Sequence, residues 1–305
     1  MSTLSRTETL RQLFADQDRQ TTIGILLIAP AVIIILIALV YPFLNALYVS
    51  LLNRATGDFV GLAHYQWLFA ESSFVATLGR SLGWTIGNLV FQGVAGIAIA
   101  LLLHREFAGR DVIRTAMLVP FVIPTAVTAI MWRWIFNTSY GPINTWLGNL
   151  GLLSQPINPL NDPSLALAAT TLINTWRWTP LVALVVFAVL QTIPREEYEA
   201  ARIEGAGVVD EFYHVTYPHL QGSMTILGLL GFLLTFNIFD MIWLLTNGGP
   251  VQATTTLAVL IYDVAFEMQN IGRGTAVSVV LFLLLSVFVF VYFQQEEFQE
   301  GGEFA

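Results

Sequence analysis

The sequence lacks two residue types on which whole classes of protein chemistry depend. None of its 305 residues is a cysteine, which excludes disulfide bonds and cysteine-ligated metals. None is a lysine, since all 13 basic residues are arginines. The phosphate-binding P-loop needs a lysine that contacts the nucleotide phosphates, and Schiff-base chemistry needs one as well. The chain therefore has no P-loop with which to bind ATP.

Charge of either sign is also scarce. Charged residues make up only 11% of the chain, whereas hydrophobic residues make up 55%. Soluble globular proteins carry about 25% charged residues. So few charges leave too little polar surface to cover a water-soluble globule, and this composition indicates an integral membrane protein.

Six apolar runs are long enough to cross a bilayer, which requires about 20 mostly apolar residues per helix. We therefore predict an all-α membrane bundle. The expected spans cover residues 23–49, 81–103, 115–136, 165–190, 222–245 and 274–295. An N-terminal segment, residues 1–22, and an acidic tail, residues 296–305, flank this transmembrane domain of residues 23–295. The first run is too long for a signal peptide and is not followed by a cleavage site and a soluble domain.

The distribution of arginine orients the bundle. With six spans, both termini lie on one side of the membrane. That side receives eight arginines, at positions 6, 11, 19, 105, 110, 114, 195 and 202. The opposite side receives three, Arg54, Arg80 and Arg273. Because cytoplasmic loops carry the excess of basic residues, both termini are predicted to be cytoplasmic, in a multi-pass protein of the cell membrane.

One predicted cytoplasmic loop, residues 193–220, has a strong local pattern. Pro194 is suited to a helix N-terminus, and Glu196 and Glu197 follow in the first turn, where the helix dipole favours acidic residues. Good helix formers continue to residue 204, and Gly205 and Gly207 then end the helix. The pattern predicts a short helix, a glycine bend and a second amphipathic piece, all too polar to enter lipid.

The spacing within this loop resembles the EAA loop of ABC importer permeases. Glu199-Ala200-Ala201 is followed after three residues by Gly205, and after nine more by Val215-Thr216-Tyr217-Pro218. Val215 and Tyr217 replace the isoleucine and leucine of the family pattern, both with other apolar residues. The resemblance implies that Glu199, Ala200, Ala201, Gly205 and Pro218 couple the membrane domain to an ATPase.

Further segments extend the resemblance over roughly residues 20–295, to the sugar-type permeases that include the maltose and glycerol-3-phosphate transporters. The segments that carry it are Thr246-Asn247-Gly248-Gly249-Pro250, Ile261-Tyr262-Asp263 and Ile271-Gly272-Arg273-Gly274. The resemblance implies the type I ABC importer permease fold and uptake of a sugar, polyol or sugar phosphate by alternating access. The implied partners are a second permease, two ATPase subunits that hold ATP and Mg²⁺, and an extracytoplasmic solute-binding protein. No cofactor, metal or nucleic acid is expected on this chain itself.

Polar residues inside the predicted spans are candidate sugar contacts, because such residues are costly in lipid and usually face a cavity or a partner. Asn237 and Asp240 lie three residues apart in the fifth span, and we expect them on one helix face. The fourth span contributes Asn174, Trp176, Arg177 and Trp178. Aromatic platforms with amide and carboxylate groups suit a sugar. Arg177 and Asp240 could alternatively serve as snorkelling or structurally paired residues.

Three other functions remain open at this point. An ion-coupled secondary transporter explains the spans and their charged residues but not the spacing of the EAA loop. An intramembrane enzyme would need a nucleophile and base or a metal cluster, and the chain has neither a cysteine nor a HExxH motif. A purely structural membrane subunit agrees with the composition, although not with the coupling loop.

Overall fold

The computed structural model describes the backbone of residues 3–54 and 56–302 and the side chains of residues 24–54 and 56–294. Across these ranges the regular secondary structure is entirely helical. The α-helices are α1 Thr3–Ser50, α2 Ala63–Ala70, α3 Ser73–His104, α4 Arg110–Ala116, α5 Val119–Val122, α6 Thr125–Ile135, α7 Pro142–Asn149, α8 Ala166–Leu190, α9 Arg195–Ile203, α10 Val208–Glu211, α11 Tyr217–Phe236, α12 Asp240–Thr246, α13 Leu257–Tyr262 and α14 Ile271–Gly302. Two π-helical segments, Phe212–Thr216 and Asp263–Glu267, and a 3₁₀ turn, Pro159–Asn161, complete the described elements.

The number of spans agrees with the expected all-α membrane bundle. Five helical stretches among the described residues are long and apolar enough to cross a membrane, and the bent segment α4–α6 makes a sixth if it is one span. The five are Gly24–Ser50, Ser73–His104, Ala166–Leu190, Val208–Phe236 and Ile271–Gln294. The first of them is continuous with the N-terminal residues, because α1 begins at Thr3. The side chains of residues 1–23 and of the acidic tail 296–305 lie outside the described part.

The third span is not the single helix predicted over residues 115–136. Helices α4 and α5 run to Val122, and the chain then turns by 99° into α6. The cause is Pro124, because a proline disfavours helical geometry in the residue before it. Ile123 accordingly has extended backbone angles, φ −67° and ψ 127°. After this bend, Trp132 of α6 packs against Trp176 of α8.

The fifth span, predicted over residues 222–245, is also interrupted. Helix α11 begins earlier, at Tyr217, and ends at Phe236, and a new helix begins at Asp240. The side-chain amide of Asn237 donates to the carbonyl of Leu233 at 2.8 Å, a local bond that competes with continuation of the helix. The prediction that Asn237 and Asp240 share one helix face is therefore wrong, because the helix breaks between them.

Helices α3 and α8 form the centre of the bundle and pack very closely. A Cβ on Gly96 would lie 2.6 Å from Val182 Cγ1, so only glycine permits this approach. One hydrophobic cluster includes Trp84 and Ile173, and a second cluster near the coupling loop includes Leu103 and Phe187. By contrast, none of the most apolar stretch of α1 is buried within this chain.

Candidate functional site

The coupling loop forms the predicted short helix and glycine bend. Pro194 precedes the first residue of α9, with φ −58° and ψ 138°, and Glu196 and Glu197 occupy the first turn. The helix ends at Ile203, and Gly205 has φ +91°, a left-handed conformation that side chains with a Cβ rarely adopt. The predicted need for glycine at this position is confirmed by its backbone angle.

One face of α9 anchors the helix to the bundle. Tyr198 and Ala201 pack against the cluster that contains Leu190 and Val215. The Tyr198 hydroxyl lies 3.0 Å from the hydroxyl of Thr216, at the end of the π-helical segment. These contacts join α9 to the segment that leads into α11.

Two side-chain contacts hold the halves of the loop together. The Arg202 guanidinium donates to both carboxylate oxygens of Glu211, at 2.6 and 3.3 Å. This hydrogen bond raises the pKa of Arg202 above its ordinary value. Glu197 lies 3.5 Å from His219, whose other ring nitrogen is 2.8 Å from the carbonyl of Val215. The loop is therefore a folded unit and not a flexible connection.

The opposite face of α9 has no partner within the described part of the chain. Glu199 and Ala200 are exposed, and Ile203 is 87% exposed. Val208 and Val209, at the start of α10, are also exposed, at 69% and 66%. Exposed apolar side chains beside an acidic residue form a surface suited to a protein partner. We call these five residues the docking face.

The coupling residues predicted from the sequence thus divide between the two faces. Glu199 and Ala200 lie on the docking face, whereas Ala201 points into the chain's own core. Pro218 is in the first turn of α11, where the missing N–H of a proline is tolerated. Gly205 connects the docking face of α9 to the part contributed by α10.

A cavity of about 370 Å³ lies between α3, α8 and α11 in the membrane-spanning bundle. Its lining is mostly apolar and includes Trp178, Gln92, Thr235 and Ile238. The indole N–H of Trp178 is buried and has no hydrogen-bond partner among the described residues. An unpaired buried donor is costly.

Asn174 lies deep in the bundle and not on an open surface. Its side-chain amide donates to Asn88 Oδ1 at 2.8 Å, and Gln92 donates to the same oxygen at 3.1 Å. Asn88 in turn donates to the carbonyl of Trp84. Asn174 is fully buried, and its own carbonyl oxygen has no partner among the described groups. This polar network joins α3 to α8, and Gln92 connects it to the cavity.

The remaining candidates for sugar contact are dispersed. Trp176 packs edge-on against Trp132, with ring centroids 5.6 Å apart. Arg177 donates to the carbonyl of Ile123, at the bend before α6. Asn237 and Asp240 are exposed and flank Ile238, which lines the cavity. Of the six predicted contacts, only Trp178 is itself part of the cavity lining.

Gln92 is a cavity residue that the sequence reasoning missed. It is a buried amide inside an apolar span, 6% exposed, and the same argument that selected Asn174 applies to it. The sequence candidates were chosen for their charge or for neighbouring tryptophans, and this choice did not include Gln92.

Comparisons with known proteins agree with this architecture. Residues 92–296 match the family described as binding-protein-dependent transport system inner membrane component. The chain is 30% identical over 285 residues to the trehalose/maltose transport system permease protein MalF of Thermococcus litoralis, covering 92% of this chain and 96% of that one. It is 31% identical over 275 residues to the sulfoquinovosyl glycerol transport system permease protein SmoG of Agrobacterium fabrum, covering 88% and 89%.

A solved structure shares the fold. A chain of a bacterial ABC transporter involved in the import of the acidic polysaccharide alginate superimposes with a TM-score of 0.81, at 20% identity, over 94% of this chain and 98% of that one. The family match over most of the length, the two similar permeases and the folded coupling loop agree. The chain therefore belongs to the inner membrane components of binding-protein-dependent transport systems, and it is a permease subunit of an ABC importer.

Proposed function

We propose that this chain forms half of the translocation pathway of an ATP-driven sugar importer in the cytoplasmic membrane, with both termini inside. A second homologous permease forms the other half. Two cytoplasmic ATPase subunits bind ATP and Mg²⁺, and an extracytoplasmic binding protein delivers the sugar. This chain performs no hydrolysis itself and requires no cofactor of its own.

The docking face carries this proposal. Glu199, Ala200 and Ile203 point away from the bundle, while Tyr198 and Ala201 fix the helix to it. A carboxylate at the centre of a small apolar surface suits an arginine in a cleft of the ATPase. When ATP closes the ATPase pair, α9 moves with its cleft, and the Tyr198–Thr216 contact conveys the movement to α11. Movement of α11 against α3 and α8 changes the cavity between them, which gives alternating access.

The sugar class rests on the cavity and on the relatives. The permeases named above serve trehalose or maltose and sulfoquinovosyl glycerol. Here the cavity lining includes the side chain of Trp178 and the amide-bearing Gln92. An aromatic face and hydrogen-bond donors are groups that bind sugar rings and hydroxyls. Its volume, about 370 Å³, lies within the roughly 300–1,000 Å³ of small-molecule sites.

The proposal is tested with Glu199→Lys in the assembled transporter in proteoliposomes. The charge on the docking face is reversed, so we expect loss of ATP-dependent sugar uptake and of ATPase stimulation by loaded binding protein. Membrane insertion is unaffected because residue 199 lies outside the spans. Uptake by the unmodified complex should persist after ionophores collapse the ion gradients, as an ATP-driven mechanism requires.

Asp58→Lys is the matched control. Asp58 is an exposed carboxylate in the loop after α1, away from the docking face. The same charge reversal there should leave uptake and stimulation intact. If Glu199→Lys shows normal uptake and normally stimulated hydrolysis, Glu199 does not couple this chain to the ATPase. If ionophores alone abolish uptake by the unmodified complex, the result would favour a secondary transporter.

A further inference from the structure

A second cavity, at the opposite end of the bundle from the coupling loop, has a distinct chemistry. It measures about 400 Å³ and lies between the end of α6, the loop before α8 and the turn after α12. Its polar lining consists of Arg133, Thr246 and four asparagines, at positions 137, 158, 161 and 247. No acidic residue lines it. In the proposed orientation this cavity opens to the outside.

Hydrogen bonds within the loops fix the orientation of two of the asparagines. Asn137 Oδ1 accepts from the backbone N–H groups of Ser139 and Tyr140, at 2.8 and 3.2 Å. Asn158 Oδ1 accepts from the N–H of Leu160 at 3.1 Å. The oxygens are therefore occupied, and the amide NH₂ groups of both side chains have no partner among the described residues. Both of these asparagines line the cavity, so it has unused amide donors in its wall.

Arg133 adds a positive charge to these donors. Its one hydrogen bond within the described part is a long one, 3.4 Å to the carbonyl of Leu244. No described carboxylate lies within ion-pair distance of its guanidinium. Thr246, the other polar group, is already bonded to Ile242 and Thr254. Arg133 and the amide NH₂ groups of Asn137 and Asn158 thus supply unused donors, the groups that bind a carboxylate.

The rim of the cavity has the features of a protein contact. Tyr140 is 64% exposed, and Val251, next to the lining residue Pro250, is 89% exposed. Val251 also has φ +50°, which is a strained conformation for a β-branched residue. Such strain is concentrated at functional sites, and exposed aromatic and aliphatic side chains around a polar centre are typical of interfaces.

We infer that this cavity receives an acidic side chain of the solute-binding protein, paired with Arg133, when that protein docks on the outer surface. The inference rests on the proposed function. Carboxylate and guanidinium form a bidentate pair, and the asparagine NH₂ groups donate to the remaining lone pairs. Docking against strained rim residues places the delivered sugar above the bundle in a fixed orientation.

The absence of lysine from the chain allows a direct test. Arg133→Lys introduces the only lysine, so a zero-length carbodiimide reagent can join that position to a carboxylate in contact with it. The assembled transporter is mixed with loaded binding protein, treated, and digested for mass spectrometry. We expect one cross-linked peptide between position 133 and an acidic residue of the binding protein. Arg54→Lys, an exposed arginine outside the cavity, should give none.

Titration of the binding protein provides the second readout. In Arg133→Gln, half-maximal ATPase stimulation should require about ten-fold more binding protein, the effect of losing one charge-assisted pair of about 1.4 kcal/mol. The maximal rate should be unchanged, and Arg54→Gln should match the unmodified complex. A cross-link to the second permease, or an unchanged half-maximal concentration, would overturn the inference. If the unmodified complex showed no stimulation at all, the proposed function itself would fail.

Discussion

The helices of this protein are interrupted in two kinds of region, one outside the lipid and one within it. The two kinds differ in what forms hydrogen bonds with the backbone groups that an interruption leaves unpaired. The turn around Gly205 lies outside the lipid, where water can bond any free N–H or C=O. The breaks at Ile123 and at Asn237 lie within membrane-spanning segments. Water is absent from the hydrocarbon region, so each freed group there needs a partner within the protein.

Side chains supply those partners, two of them from neighbouring helices. Arg177 donates to the carbonyl of Ile123 at 3.4 Å, and Trp84 Nε1 donates to the carbonyl of Thr235 at 3.0 Å. Asn237 bonds back to the carbonyl of Leu233. Interrupted helices permit irregular backbone beside a cavity, as in many transporters. The conformation of the coupling loop can therefore change without loss of the fold, whereas the two helix breaks within the membrane need these polar side chains to be stable.

The largest effect is expected at Gly205. Gly205→Val should lower sugar uptake at least about ten-fold, because a β-branched residue at φ +91° costs on the order of 1–2 kcal/mol and redirects the loop. Gly205→Asn should retain most uptake, since asparagine tolerates left-handed conformations. Gly205→Asn should keep the unfolding midpoint of the unmodified permease in detergent titrations, and Gly205→Val should lower it by no more than this local strain. Equal uptake by the two variants would show that the bend does not set the position of the docking face.

A smaller effect, on stability and not on coupling, is expected at the bend before α6. Arg177→Ala leaves the carbonyl of Ile123 without its donor and should lower the free energy of unfolding by about 1–3 kcal/mol. Tryptophan fluorescence during denaturation by sodium dodecyl sulfate measures this change. Arg54→Ala, at an exposed arginine, serves as the control. If Arg177→Ala is as stable as that control but has a raised half-saturation for sugar, Arg177 is a substrate contact, as the sequence suggested.

The smallest effects on stability and uptake are expected at two tryptophans, Trp84 and Trp178. Trp84→Phe removes the donor to Thr235 and should cost about 1 kcal/mol of stability. Trp178→Phe removes an N–H that has no partner in the described structure, so stability should be unchanged. If the cavity binds the sugar, the half-saturation for uptake should rise several-fold in Trp178→Phe alone. If instead Trp84→Phe raises the half-saturation and Trp178→Phe lowers the stability, the sugar binds outside this cavity.

The sequence predicted the coupling loop better than the spans, and the reason is physical. Pro194, the acidic first turn and Gly205 act through local backbone geometry, so their effect can be read within a few residues. Hydropathy over a span averages across its length and conceals a break. Pro124 was a local signal for the first break, but the break after Phe236 depends on tertiary bonds such as Trp84 to Thr235. The burial of Asn174 likewise depends on the packing of α3 against α8, which no local pattern specifies.

The most direct test of the docking face uses the absence of cysteine from the chain. Ile203→Cys and Ser154→Cys each place a single thiol, the first on α9 and the second in the loop before α8. A membrane-impermeant maleimide is applied to inside-out vesicles before and after the ATPase subunits are stripped. We predict that Ile203→Cys reacts only after stripping and that Ser154→Cys reacts only from the outer side. Labelling of Ile203→Cys from outside, or equal labelling with and without the ATPase, would contradict the account.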